Sequence, residues 1–77
     1  MNITEEFNEK QPRWRAEHGE EYYYLILNNF GEFVIFRGFD YRHINDEKYY
    51  DSGNYFRTEK EAKKYINIIK DILTNRK

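Results

Sequence analysis

Apolar and aromatic residues are concentrated in two short runs in the middle of the chain and in one longer, periodic segment near its end. The two short runs, residues 22–27 (YYYLIL) and 33–36 (FVIF), flank the turn-forming sequence Asn-Asn-Phe-Gly at residues 28–31. Aromatic and β-branched residues favour strands, and Asn and Gly favour the tight turns between them. The pattern therefore predicts an antiparallel β-hairpin.

The C-terminal segment has the period of an amphipathic helix. Thr58 and Glu61 fit a capping box, in which the Thr58 hydroxyl accepts from the N–H of residue 61 and Glu61 reaches back to the N–H of residue 58. An apolar stripe follows at spacings of three and four, which predicts a helix lying on the hairpin: Ala62, Tyr65, Ile66, Ile69, Ile72 and Leu73.

The segments between these elements give weaker patterns. Residues 38–52 have no clean period, and we expect a long, partly ordered connection with a short strand around Tyr49 and Tyr50. A Gly-Asn turn at residues 53–54 and a short strand at residues 55–57 are expected to lead into the helix. Together these elements predict an α+β fold, in which an antiparallel sheet of two or three strands carries one C-terminal helix on one face. Residues 1–13 are expected to form an N-terminal arm, and residues 14–77 a single β-β-(β)-α domain.

Both faces of the predicted hairpin are apolar. Side chains alternate along a strand, so Tyr22, Tyr24 and Ile26 point to one side of the sheet, and the residues between them to the other. A single helix covers only one of these faces. The second face must be covered by the arm with Trp14, be covered by a partner, or remain exposed.

Composition excludes several classes of protein. The 77 residues include 13 basic and 14 acidic ones, which is neither the positive excess of a general nucleic-acid binder nor the acidity of a wholesale DNA mimic. There is no cysteine, and His18 and His43 stand apart without the spacing of metal ligands. No phosphate-binding loop or nucleophile–base pair is present, so we expect a protein that is not an enzyme and that has no catalytic residue, metal or cofactor.

Two motifs resemble those of a known group of proteins. The opening W-x-x-x-x-G-x-x-Y-Y occurs from Trp14 to Tyr23, and G-N-x-F-x-T-x-x-E-A occurs from Gly53 to Ala62. Over residues 14–75 the chain resembles small phage and prophage proteins of Firmicutes. The resemblance implies a mobile-element origin and assigns no activity by itself. Small phage accessory proteins are often inhibitors of host defence, anti-CRISPR proteins among them.

These observations favour a protein-interaction module, in its sharpest form an inhibitor of a bacterial defence complex. We expect the partner to dock on the aromatic sheet face and on an acidic-aromatic loop suited to a basic cleft. The predicted partner-binding residues are Tyr22, Tyr24, Phe33, Phe36, Asp40, Tyr41, Asp46, Glu47, Tyr49, Tyr50 and Asp51. Self-association through the same aromatic face, giving a homodimer, is a further possibility.

The alternative is a nucleic-acid-binding phage accessory protein. Its bases would stack on the aromatic sheet. Its phosphates would contact four lysines on the outer face of the helix: Lys60, Lys63, Lys64 and Lys70. The first twenty residues are polar, and no stretch of the sequence approaches the roughly 18 apolar residues of a membrane span. We therefore expect a location in the cytoplasm of the bacterial host.

Overall fold

The computed structural model describes residues 13–76 of the chain. The element order is strand β1 (Glu21–Leu27), strand β2 (Phe33–Phe39), helix α1 (Ile44–Ser52) and helix α2 (Glu59–Thr74). The two strands form an antiparallel sheet, and α2 packs against both of them. The predicted α+β class is therefore confirmed, including the C-terminal helix on the sheet. The predicted arm, residues 1–13, lies outside the described residues except for Arg13.

The hairpin forms in the register that its alternating side chains require. Tyr24 pairs with Phe36, and Leu27 pairs with Phe33 next to the turn. Asn28 closes this turn, because its side-chain oxygen accepts from the backbone N–H groups of Phe30 and Glu32, each at 2.9 Å. Gly31 has a φ of 79°, which a residue without Cβ adopts at low cost. The Asn-Asn-Phe-Gly segment thus forms the predicted turn.

The outer edge of β1 is paired by a single bridge and by one side chain. Phe56 forms an antiparallel bridge with Tyr23, with N···O distances of 2.8 and 2.9 Å. Further along β1, the Asn54 side chain accepts from the N–H of Leu25 at 2.7 Å and donates to its carbonyl at 2.9 Å. The strand predicted at residues 55–57 is therefore only a bridge, extended by an amide side chain that pairs as a neighbouring strand would.

Helix α2 begins as its sequence predicts. Thr58 is the N-cap, and its hydroxyl accepts from the N–H of Glu61 at 3.1 Å. The Glu61 carboxylate reaches back to the N–H of Arg57, at 3.4 Å, one residue earlier than expected. Ala62 is fully buried against the sheet, and Ile66 and Ile69 are half-buried. The rest of the predicted stripe is exposed: Tyr65, Ile72 and Leu73. Ile72 and Leu73 lie in the last turn of the helix, beyond Ile69, whereas Tyr65 lies beside the buried positions.

Helix α1 corrects the prediction for residues 38–52. The segment was expected to be an irregular connection with a strand at Tyr49 and Tyr50, but both tyrosines lie on a nine-residue helix. Gly53 ends the helix with a φ of 84° and donates its N–H to the Tyr50 carbonyl. The helix lacks a regular apolar stripe, so its periodicity gave no signal.

Apolar clusters cover both faces of the sheet. On the α2 face, Leu25, Phe56 and Ala62 form a buried cluster. On the opposite face, Ala16, Tyr22 and Tyr55 form a second buried cluster. Trp14 and side chains from β1 and α1 enclose it. The second face is therefore covered within one chain, partly by Trp14 as one alternative proposed, and partly by the unforeseen helix α1. Neither described helix is long and apolar enough to cross a bilayer.

Candidate functional site

The tyrosines predicted to bind a partner belong largely to the core. Tyr22 is 1% exposed and stacks on Tyr55 at a centroid distance of 4.3 Å. Tyr24 is half-buried and stacks on Tyr49 at 4.2 Å, while Tyr50 meets Tyr55 edge-on at 5.2 Å. Rings held in this way bury apolar area inside the chain. A structural role in the fold therefore falls to the four tyrosines that the sequence predicts as docking residues: Tyr22, Tyr24, Tyr49 and Tyr50.

The two phenylalanines of the predicted patch lie on opposite faces of the sheet. Phe33 pairs with Leu27 on the face that carries α2, whereas Phe36 pairs with Tyr24 on the face that carries α1. Phe36 is 48% exposed, and Phe33 is half-buried. These residues therefore do not form one surface.

Asp40 is not a surface carboxylate of an acidic loop. Its side chain is fully buried and accepts from Arg15 Nε at 3.0 Å, from the Tyr55 hydroxyl at 2.7 Å and from the Arg42 guanidinium at 2.7 Å. Burial opposes ionisation, but the hydrogen bonds from Arg15, Tyr55 and Arg42 outweigh it and hold the pKa of Asp40 well below its usual range. Burial and the bond to Asp40 raise the pKa of Tyr55 to about 12.

Asp46 is also internal. It accepts from the Tyr22 hydroxyl at 2.6 Å, and from the backbone N–H groups of Tyr41 and His43 at 3.0 and 3.1 Å. Burial opposes its ionisation, but these three donors prevail and lower the pKa of Asp46. A carboxylate in the first helical turn that accepts from the N-cap N–H is the acidic half of a capping box. Asp46, which the sequence predicts as an exposed docking residue, is instead buried and fixes the start of α1.

The remaining loop residues lie at the surface. Glu47 and Asp51 are exposed, as is Tyr41 at 48%. Glu47 forms an ion pair with Arg15. Because two of the four predicted acidic residues are buried and a third is ion-paired, the loop does not offer the acidic surface that the sequence suggested.

His18 and His43 approach the same ring, although they are far apart in sequence. Their rings lie 5.3 and 6.1 Å from that of Tyr41. Within residues 13–76, no group of three or more histidine and carboxylate side chains is placed to hold a metal ion.

The lysines of the alternative hypothesis are all exposed on α2. The four lysines are Lys60, Lys63, Lys64 and Lys70. None of them is within ion-pair distance of a described carboxylate. The rings required for base stacking lie in the core under α1, on the other side of the sheet from α2. The structure therefore does not bring the basic and aromatic parts of that hypothesis together.

A concave groove lies between the outer edge of β1 and helix α2. Its volume is about 690 Å³. Asn54 and Phe56, which pair with this edge of β1, also line the groove. We call this surface the β1 groove and define it by its apolar lining: Trp14, Leu25, Phe33, Phe56, Tyr65 and Ile69.

Two arginines stand at the rim of the β1 groove. The Arg13 guanidinium lies over the Tyr50 ring at 4.1 Å, and that of Arg57 lies over the Trp14 ring at 5.7 Å. Neither forms an ion pair with a described carboxylate. Stacking on a ring restrains each guanidinium. Arg13 also donates one N–H to the Tyr50 carbonyl at 2.5 Å, and its other N–H groups remain available. The rim therefore offers two positioned positive charges above an apolar floor.

The exposed flank of α2 extends this apolar surface. Ile68 and Ile72 follow Tyr65 at helical spacing, so they lie on the groove side of the helix. The exposed fractions are 43% for Tyr65, 40% for Ile68 and 65% for Ile72. The spacing of the three residues is visible in the sequence, but the predicted stripe does not include Ile68.

No family model, no curated protein and no solved structure matches the chain.

Proposed function

We propose that this protein is a non-enzymatic protein-interaction module, and that it binds an apolar segment of a partner protein carrying acidic side chains in the β1 groove. The observation that supports it best is the combination of an open apolar groove with two ring-stacked arginines at its rim. A cleft lined by apolar and aromatic side chains with a few fixed polar groups is the usual form of a binding site.

The apolar lining supplies the affinity in this proposal. Burying one large apolar side chain of a partner contributes roughly 1.5–3 kcal/mol. Tyr65 and Ile72 already lie at the surface, so covering them requires no rearrangement of the core. Aromatic residues and arginine are also the types that dominate binding energy at protein interfaces.

The arginines supply orientation and selectivity. A guanidinium binds a carboxylate through two parallel hydrogen bonds, which favours Asp or Glu in the bound segment. Because Arg13 and Arg57 are each restrained by a ring, they lose less side-chain entropy on binding than a free arginine would. The preferred partner is therefore acidic, the reverse of the basic cleft expected from the sequence.

The narrower proposal is that this module is phage-derived and inhibits a bacterial defence complex in the manner of an anti-CRISPR protein. It rests on the resemblance of the two sequence motifs to phage and prophage proteins. Plating efficiency of a phage targeted by the host's CRISPR system, with and without expression of this protein, tests it. Restored plating by the wild-type protein supports inhibition, and unchanged plating in hosts of each CRISPR type removes it.

The groove itself is tested by selecting a randomised peptide library against the folded protein. We expect the selected peptides to be enriched in aromatic or aliphatic residues together with Asp or Glu. Arg57→Glu should weaken their binding at least tenfold, because it places a like charge at the rim. Lys63→Glu is the matched control, since it makes the same change of charge on the outer face of α2. Equal loss in both variants, or selection of basic peptides, would contradict the proposal.

A further inference from the structure

Within the described residues, the outer edge of β2 carries a row of unpaired backbone groups. The hydrogen bonds of Tyr23 with Phe56 and of Leu25 with Asn54 show that the backbone N–H and C=O groups of odd-numbered residues in β1 point away from β2. In the observed antiparallel register, the backbone groups of odd-numbered residues in β2 must then point away from β1. Within residues 13–76, no hydrogen bond reaches the backbone of these residues: Phe33, Ile35, Arg37 and Phe39.

This edge has little of the usual protection against pairing. Exposed edge strands are commonly blocked by charged side chains, lysine above all, by proline or by a β-bulge, and Arg37 is the only charged residue of β2. Strand β2 has the sequence FVIFRGF over seven residues, with an uninterrupted register and no proline or lysine. Its exposed apolar side chains are Phe36, at 48%, and Phe39, at 46%. The formal net charge of −1 also means that two copies of the chain repel each other little.

We propose that a second copy of this chain pairs antiparallel with β2 across a two-fold axis at Phe36, which forms a continuous four-stranded sheet. In this register Phe36 faces Phe36 of the second copy, and Phe33 faces its Phe39. The two exposed rings of the strand thereby gain aromatic neighbours, a favourable cross-strand combination. The odd-numbered residues of each β2 exchange backbone hydrogen bonds with the other copy.

Charge complementarity supports a second copy as the occupant. On the α2 face, Ile35 lines a depression together with Arg37 and the exposed Glu59. Arg37 of the same chain pairs with Glu21 at 3.7 Å, and Glu59 forms no ion pair with a described residue. The two-fold places Arg37 of the second copy opposite Ile35 and therefore beside Glu59. Symmetry repeats the contact, so each interface contains two such pairs of opposite charge. A foreign strand would need to provide a similarly placed cation.

Apart from Phe33, which belongs to both, this interface is separate from the β1 groove. The groove lies along the outer edge of β1, and the proposed pairing uses the opposite edge of the sheet. Two copies joined through β2 would therefore leave both grooves open. The dimer stands or falls independently of the proposed function.

Light scattering coupled to size-exclusion chromatography tests the assembly. At about 100 µM we expect the wild-type chain to elute with twice the 9.6 kDa of a single chain. Arg37→Pro should shift it to the monomer, because proline removes an N–H of the outer edge and leaves the ladder to β1 intact. Arg37→Ala keeps that N–H and loses only an exposed charge pair, which contributes little to stability, so it should remain dimeric. A monomeric wild-type protein, or an Arg37→Pro variant that folds and stays dimeric, overturns the proposal.

A cross-linking experiment tests the register without relying on the proline variant. The chain contains no cysteine, so Phe36→Cys introduces a single thiol. Opposed residues of a non-hydrogen-bonded antiparallel pair have Cα atoms about 4.5 Å apart, which suits a disulfide. In a glutathione buffer we expect the Phe36→Cys chain to cross-link at least tenfold more than Phe30→Cys, although Phe30 is 87% exposed. Equal cross-linking of the two variants would refute the two-fold at Phe36.

Discussion

The Tyr22 hydroxyl donates to Asp46 Oδ1 at 2.6 Å and so ties the open end of the hairpin to the first turn of α1. Both groups are buried, and each is the natural partner of the other. Burial and the bond to Asp46 raise the pKa of Tyr22 above its usual value, so the hydroxyl remains a donor at all ordinary pH values. This link holds α1 over the sheet face that one C-terminal helix alone leaves uncovered.

Removing the Tyr22 hydroxyl should therefore destabilise the fold. Tyr22→Phe leaves a buried carboxylate with one donor fewer, and we expect a loss of about 1–2 kcal/mol in the free energy of unfolding. Urea denaturation followed by circular dichroism measures it. Tyr24→Phe is the control, since the Tyr24 hydroxyl has no hydrogen bond to a described residue, and its stability should change by less than about 0.5 kcal/mol. Equal effects of the two variants would show that the bond contributes nothing.

Asp46 and Glu47 are adjacent in sequence but should respond differently to substitution. Asp46→Ala removes the acceptor of three hydrogen bonds at the start of α1, and we expect a loss of about 2–4 kcal/mol. The Glu47 side chain is half exposed and ion-paired with Arg15, so Glu47→Ala should cost less than about 1 kcal/mol. Thermal melts of the two variants decide the matter. A stable Asp46→Ala protein would mean that this carboxylate does not hold α1.

Replacing Asn54 should weaken the pairing along the outer edge of β1, because its side-chain amide bonds to the Leu25 backbone as a neighbouring strand would. Asn54→Asp keeps an acceptor for the Leu25 N–H but loses the donor to its carbonyl, and we expect a loss of about 1–3 kcal/mol. Amide hydrogen exchange at Leu25 should accelerate in the same variant. Asn67→Ala, on the exposed surface of α2, provides the comparison and should leave both the stability and the exchange unchanged. Wild-type exchange at Leu25 in Asn54→Asp would contradict this pairing.

Stability should decrease in acid because of Asp40 and Asp46. Both have a pKa lowered by folding, so between the folded and unfolded values the unfolded chain binds more protons. Their contribution is complete above the unfolded pKa of about 3.9 and is lost as the pH falls through the folded values. The melting temperature should therefore decrease steeply as the pH falls from about 4 to about 2. Asp40→Asn should be less stable at pH 7 and show a shallower decrease, and parallel profiles would refute this assignment.

The sequence predicted those elements whose signals are local. The hairpin follows from two strand-forming runs around the Asn-Asn-Phe-Gly turn, and α2 follows from the cap at Thr58 and the apolar spacing after it. The Gly53 and Asn54 motif was recognised as a turn. Its second role, in which the Asn54 amide pairs with Leu25, depends on a contact 29 residues apart and is invisible to local patterns.

The candidate site was harder to predict because it depends on which faces are covered. Helix α1 has no apolar period, so its segment resembled a loop and its tyrosines appeared free to bind a partner. Asp40 and Asp46 appeared acidic and exposed because their partners Arg15, Tyr55 and Tyr22 are distant in sequence. The signal that was available is the extra apolar residue Ile68, which widens the α2 stripe beyond what a two-stranded sheet covers.

The β1 groove as the docking surface is tested most directly by photo-cross-linking in the bacterial host. A benzophenone amino acid at Tyr65 lies at the groove, and the same group at Lys60 lies on the outer face of the same helix. We predict a protein adduct from position 65 that is lost when Arg57→Glu is added, and none from position 60. An adduct from position 60 alone, or one at position 65 that survives Arg57→Glu, would contradict the groove as the docking surface.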